Sequence, residues 1–127
     1  MKEVFVHLDK CQGCRSCQLA CAVAHSQSRN LFMAISETPA PRYRLYIEQG
    51  DGLSVPLTCR HCDPAPCQAV CPTGAISRDA NLDIVLIDGD KCITCAMCAM
   101  VCPFDVIRYD EAAGLRPNKT VALKCDH

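Results

Sequence analysis

Short apolar runs separated by polar turns organise this chain. Residues 84–87, Ile-Val-Leu-Ile, read as a strand, and a second strand is predicted over residues 106–109. Each pairs with a neighbour across a polar turn, residues 78–82 for the first and residues 110–118, with Gly114, for the second. Residues 4–8 alternate weakly and predict an edge strand. Two further strand-like runs, residues 43–47 and 53–57, lie in a longer stretch where Pro39 and Pro41 break regular structure. Helix-like stretches are predicted over residues 14–25, 67–70 and 95–101. Strand, loop, helix and hairpin then repeat, which predicts an α+β fold with internal pseudo-two-fold repeats.

The 127 residues suffice for one compact domain, but not for a large apolar core. A chain of this size buries only roughly two-thirds of its unfolded surface. With three Phe, three Tyr and no Trp, side chains alone fill little of it. Thirteen cysteines change the picture, since a tenth of the chain is then thiol. Their odd number rules out complete internal disulfide pairing. Residues 1–10 hold no apolar run of secretory length, so the expected compartment is cytoplasmic, where thiolates bind metals more often than they cross-link. A net charge of −1, spread without single-sign blocks, carries no nucleic-acid footprint. No stretch approaches the ~20 apolar residues of a membrane span, so membrane association is expected only through a partner.

Twelve of the cysteines form three quartets: Cys11, Cys14, Cys17 and Cys21; Cys59, Cys62, Cys67 and Cys71; and Cys92, Cys95, Cys98 and Cys102. Cys125 stands apart near the end. The first and third quartets have the spacing C-x2-C-x2-C-x3-C, in which three close thiolates curl around one 4Fe-4S cube and the fourth cysteine, followed by proline, serves a neighbouring cluster. Cys71-Pro72 and Cys102-Pro103 supply that feature twice. One cluster is therefore expected on Cys59, Cys62, Cys67 and Cys102, and its neighbour on Cys92, Cys95, Cys98 and Cys71. The second quartet is widened by Asp63-Pro64-Ala65-Pro66, which still permits a cubane. Zinc sites built from separated C-x2-C pairs leave the third cysteine and the Cys-Pro fourth without a purpose. Cys21 is followed by Ala22, so the first quartet needs another partner, and Lys124-Cys125-Asp126 looks like the opening of a fourth quartet in a polypeptide expected to continue.

This pattern resembles the four-cluster ferredoxin subunits of the DMSO reductase iron-sulfur subunit type. The likeness runs from Cys11-Gln-Gly-Cys-Arg-Ser-Cys through Cys59-Arg-His-Cys-Asp-Pro-Ala-Pro-Cys to Lys124-Cys125-Asp126. The stretch from Cys14 to Ser26 looks most like the electron-transfer subunit of carbon monoxide dehydrogenase and related hydrogenase subunits. The resemblance implies a bacterial ferredoxin-like fold and four 4Fe-4S clusters in an intact chain. It also implies that Cys21 ligates the cluster of the fourth quartet. In domain terms it divides residues 1–127 into a two-cluster unit, 58–110, an insert, 26–57, and parts of a second unit, 1–25 and 119–127.

Around the quartets, Met97, Met100 and Val101 are expected to exclude water by packing, and Ile76, Ile93 and Ile107 to cover the clusters. His61, between two ligands, reads as a packing or surface residue, and Arg15 and Arg60 either as charges that favour the reduced state of the clusters beside them or as simple solvated arginines. No nucleophile–base pair or nucleotide-binding glycine loop is visible, so catalysis on this chain is not expected. The function expected is electron relay between a redox enzyme, such as carbon monoxide dehydrogenase or a hydrogenase, and another carrier. The alternative is a structural or oxygen-sensing module.

Overall fold

The computed structural model describes residues 3–112 and 118–127. Gly114, expected in the second hairpin's turn, lies outside the described residues. In chain order the elements are α1 (Ser16–Ala24), α2 (Leu31–Ala34), β1 (Tyr46–Gly50), β2 (Leu53–Leu57), α3 (Pro66–Ala69), β3 (Ile76–Asp79), β4 (Ile84–Ile87), α4 (Met97–Val101), β5 (Arg108–Glu111) and β6 (Thr120–Leu123). The strands form three separate antiparallel hairpins, β1–β2, β3–β4 and β5–β6. Short helices with small hairpins give the α+β, ferredoxin-like arrangement.

Local chemistry sets these elements. Pro66 opens α3, at the position where its missing N–H costs nothing. Asn30 caps α2 by accepting the Phe32 N–H at 3.0 Å. The β3–β4 turn is held by the Asp79 carboxylate, which accepts the N–H groups of Asn81 and Leu82 at 2.8 and 2.9 Å. β-Branched residues fill β4, where Ile84 and Val85 are buried.

The pseudo-repeat is visible residue by residue. After Cys71-Pro72, Gly74 turns left-handed and Ala75 and Ile76 go inside; after Cys102-Pro103, Asp105 turns left-handed and Val106 and Ile107 go inside. The core between the repeats consists of Ala65, Ile76, Val85, Cys98, Ile107 and Ala122, with Cys67, Cys71, Cys92 and Cys102 packed against it. The interior is thus built around sulfur. No described helix is long and apolar enough to cross a membrane.

Several expectations are corrected. Residues 4–8 form no strand; most of them line a cavity together with Val55 and Pro56 of β2 without pairing to that strand, and the chain runs irregularly into a single 3-10 turn, Leu8–Lys10. The strand expected at residues 106–109 begins two residues later, since Val106 and Ile107 are used to fill the core rather than to pair. The first insert strand also starts later, at Tyr46, and α2 was not anticipated. Met100 is 83 % exposed, so it does not exclude water from a buried site, and Met97 is likewise exposed. Ile93 is 62 % exposed, yet it lines the cavity of Cys92, Cys95 and Cys98, as expected of a covering residue.

Candidate metal centres

None of the thirteen cysteines is in a disulfide. Eight of them line two cavities. The first is lined by Cys59, Cys62, Cys67 and Cys102. Its walls include Val85, Val106, Ile107, His61 and Lys124. The second is lined by Cys71, Cys92, Cys95 and Cys98, with Ile76, Ile87, Ile93, Tyr109 and Ala122 around them. Each cavity takes one thiol from the other half of the pseudo-repeat. Packing of α3 against α4 makes this exchange, because Cys71 and Cys102 follow the ends of those two helices.

The backbone between the cysteines is bent in a repeated way. Gly13, His61 and Thr94, each directly before the second cysteine of a C-x2-C pair, all have positive φ, at 69°, 46° and 59°. Arg15 and Ala96, each directly after that cysteine in the first and third quartets, do so as well. Alternating left- and right-handed residues turn successive N–H groups toward one concavity, a geometry that receives an anionic group. The N–H of His61 donates to Cys59 Sγ at 3.4 Å, and the Tyr109 hydroxyl lies 3.1 Å from Cys98 Sγ. Four soft donors, an apolar shell and inward amides are what a 4Fe-4S cube requires, so the residues fit that group.

Comparison with known proteins agrees with the donor set. A family described as "4Fe-4S dicluster domain" matches residues 51–126, more than half of the chain. This chain belongs to the 4Fe-4S dicluster family. Among similar proteins, an iron-sulfur protein of Rhodospirillum rubrum is 39 % identical over 97 % of this chain and 66 % of its own length. The electron transport protein HydN of Escherichia coli (strain K12) is 38 % identical over 97 % of this chain and 73 % of its own length. The thiosulfate reductase electron transfer subunit PhsB of Salmonella typhi is 38 % identical over 97 % of this chain and 60 % of its own length. The chain therefore spans about two-thirds of the relatives it matches. The dicluster chain is an iron-sulfur protein of the electron-transport kind.

The remaining cysteines are placed differently. Cys11, Cys14 and Cys17 flank the start of α1 at the surface, and none of them lines either of the two cavities. Cys21 sits deeper, where its Sγ accepts the Arg44 N–H at 3.2 Å. Asp126, next to Cys125, accepts from His25 Nε2 at 2.9 Å and from Arg44 Nη1 at 2.8 Å, tying α1 and the insert to the residue-125 segment. His25 donates from both ring nitrogens, with Nδ1 2.9 Å from the Cys21 carbonyl oxygen. The Asp126 hydrogen bond, followed by that to Cys21, raises the His25 pKa to about 10. The stabilisation from the charged pair is thus complete below the unfolded value of about 6.5 and disappears as pH rises toward 10. Comparing thermal midpoints of the wild type and Asp126→Asn across pH is expected to give the largest difference below pH 6.5 and only the Arg44 contribution near pH 10.

Gly13 joins the first cysteine loop to the insert. A Cβ there would come within 2.8 Å of Ser54 Oγ and 3.1 Å of Gln49 Nε2, on a backbone with φ of +69°. Gly52, with φ of +77°, has open space instead. Gly52→Ala is expected to cost about 1–2 kcal/mol from left-handed strain alone, and Gly13→Ala somewhat more, because the Ser54 hydroxyl and the Gln49 amide must also swing aside. Denaturant unfolding of the cluster-loaded protein measures both.

Two features escaped the sequence reading. His61 is 2 % exposed and Lys124 is 3 % exposed, both in the wall of the first cavity. Burial, then the charges of Lys124 and His127, push the His61 pKa down to about 4, so the ring is neutral at physiological pH. Arg15 and Arg60 are exposed, in keeping with solvated charges.

Proposed function

We propose that this chain relays single electrons through 4Fe-4S clusters between a redox enzyme subunit and another carrier, with carbon monoxide dehydrogenase and a hydrogenase as the candidate enzymes. The observation that supports it most is the pairing of two cavities, each lined by four cysteines and each borrowing one from the other repeat. One cluster is assigned to Cys59, Cys62, Cys67 and Cys102, and its neighbour to Cys71, Cys92, Cys95 and Cys98. Cys11, Cys14, Cys17, Cys21 and Cys125 are assigned to a second pair, which brings the intact complement to four clusters. The Asp126 bridge between α1 and the residue-125 segment supports that second unit. Residues 58–110 then form the inner two-cluster unit, residues 26–57 an insert, and residues 1–25 and 119–127 parts of the outer unit, all in the cytoplasm.

Adjacent clusters shorten each electron step, which a structural cross-link or a sensor does not need. Reduction with dithionite followed by EPR tests this reading. Magnetically coupled S = 1/2 signals are the expected result, and clusters that stay redox-silent would end the relay. Co-purification with mass spectrometry identifies the enzyme: recovery of carbon monoxide dehydrogenase or a nickel-iron hydrogenase supports the pairing, and recovery of an unrelated oxidoreductase replaces it.

A further inference from the structure

The two cavities are alike in sulfur and unlike in charge. Lys124, buried in the wall of the first, donates from Nζ to the Val85 carbonyl and to the Cys125 carbonyl at 3.1 Å, and lies 3.5 Å from His61 Nδ1. No ion pair among the described residues includes it. A buried ammonium without a counter-charge is strongly unfavourable. The thiolates that share the cavity supply negative charge on its wall, and the Lys124 charge acts on Cys67 among them. A second cation braces the same loop: Arg78 Nη2 donates to the His61 carbonyl at 3.0 Å and to the Cys62 carbonyl. His61 Nδ1 accepts the Val85 N–H at 3.0 Å, which leaves the proton on Nε2, buried and without a partner. Among the described residues the second cavity has no Lys, Arg, His, Asp or Glu in its lining. Its cysteines have neutral hydroxyl partners instead, the Tyr109 hydroxyl 3.1 Å from Cys98 Sγ and the Thr73 hydroxyl 3.7 Å from Cys71 Sγ.

Adding an electron to a cluster adds one negative charge, and a fixed cation in a low-dielectric wall favours that state more than a neutral hydroxyl does. We propose that the centre of Cys59, Cys62, Cys67 and Cys102 is the higher-potential member of the pair, with Lys124 as its counter-cation, so that an electron entering at the centre of Cys71, Cys92, Cys95 and Cys98 moves on to it. This rests on the ligand assignment made under the proposed function. In the step, one centre is oxidised by one electron while its neighbour is reduced by one. No bond forms or breaks and no proton is needed. The electron comes from the redox enzyme that the chain serves.

EPR-monitored potentiometric titration of the full chain, with clusters installed anaerobically, tests the order. Lys124→Met is expected to shift one wave to lower potential, and Lys124→Arg to leave it in place. Tyr109→Phe is expected to lower a different wave, and that wave must lie below the one that responds to Lys124→Met. If Lys124→Met does not hold its clusters, Arg78→Met, a residue outside the cavity lining, must lower the same upper wave. A reversed order, or one wave responding to both Lys124→Met and Tyr109→Phe, overturns the inference. So does a wave that stays fixed when either cation is removed. Iron and acid-labile sulfide short of two clusters overturn the ligand assignment as well, whereas a full complement with the wrong order overturns this inference alone.

Discussion

Cys102→Ala is expected to empty the cavity of the second cysteine quartet while leaving that of its own quartet filled. Cys102 lies in the cavity of Cys59, Cys62 and Cys67, and Cys92, Cys95 and Cys98 share theirs with Cys71 instead. Loss of its thiolate leaves three donors and an open iron, and the buried Lys124 loses part of its counter-charge. Iron and acid-labile sulfide should both fall by one 4Fe-4S equivalent per chain, while the wave that Tyr109→Phe moves persists. Cys71→Ala is the mirror experiment and should remove the other wave. If each alanine removed the cluster of its own quartet, ligation would not be interleaved.

Anaerobic removal of iron with a strong chelator is expected to abolish the folded state. The largest fully buried side chains are only His61, Val85, Val106 and Val121, and one of these is polar. The core cluster of six residues contains two alanines and a cysteine, with four more cysteines packed against it. Three two-stranded hairpins that share no sheet add little on their own. Where ligands are brought together only by the fold, the free energy of cluster binding is free energy of folding. Far-UV circular dichroism and amide proton dispersion should therefore collapse together, without a cooperative thermal transition in the apo chain. A chelated protein that kept native dispersion would show that the side chains suffice.

Much of this was legible in the sequence, for a physical reason. Thiolate spacing is a chain-local property: C-x2-C-x2-C-x3-C fixes how the backbone curls, and the left-handed residues at 13, 61 and 94 appear where the pattern requires a turn. Ile84–Ile87 and Leu53–Leu57 were readable as strands because β-branched or apolar runs sit between polar turns. What could not be read were properties of assembly. The run at residues 4–8 has strand-like composition, but it passes β2 without entering its ladder. Met97 and Met100 lie close to the cysteines in sequence, yet both are exposed on α4. Lys124 looks like a surface charge by composition. It is buried because β6 delivers it to the wall of a cavity whose other members all come earlier in the chain, between Cys59 and Ile107. The nearest hint was its position directly before Cys125, a place also held by Lys10 and Lys91, which are exposed.

The most direct test is elemental: the chain is isolated under strict exclusion of oxygen, and iron, zinc and acid-labile sulfide are measured per polypeptide. Iron and sulfide in equal amounts, with at least two cubane equivalents per chain and negligible zinc, are the result predicted by the two thiolate cavities. Stoichiometric zinc, or iron without acid-labile sulfide, would contradict it.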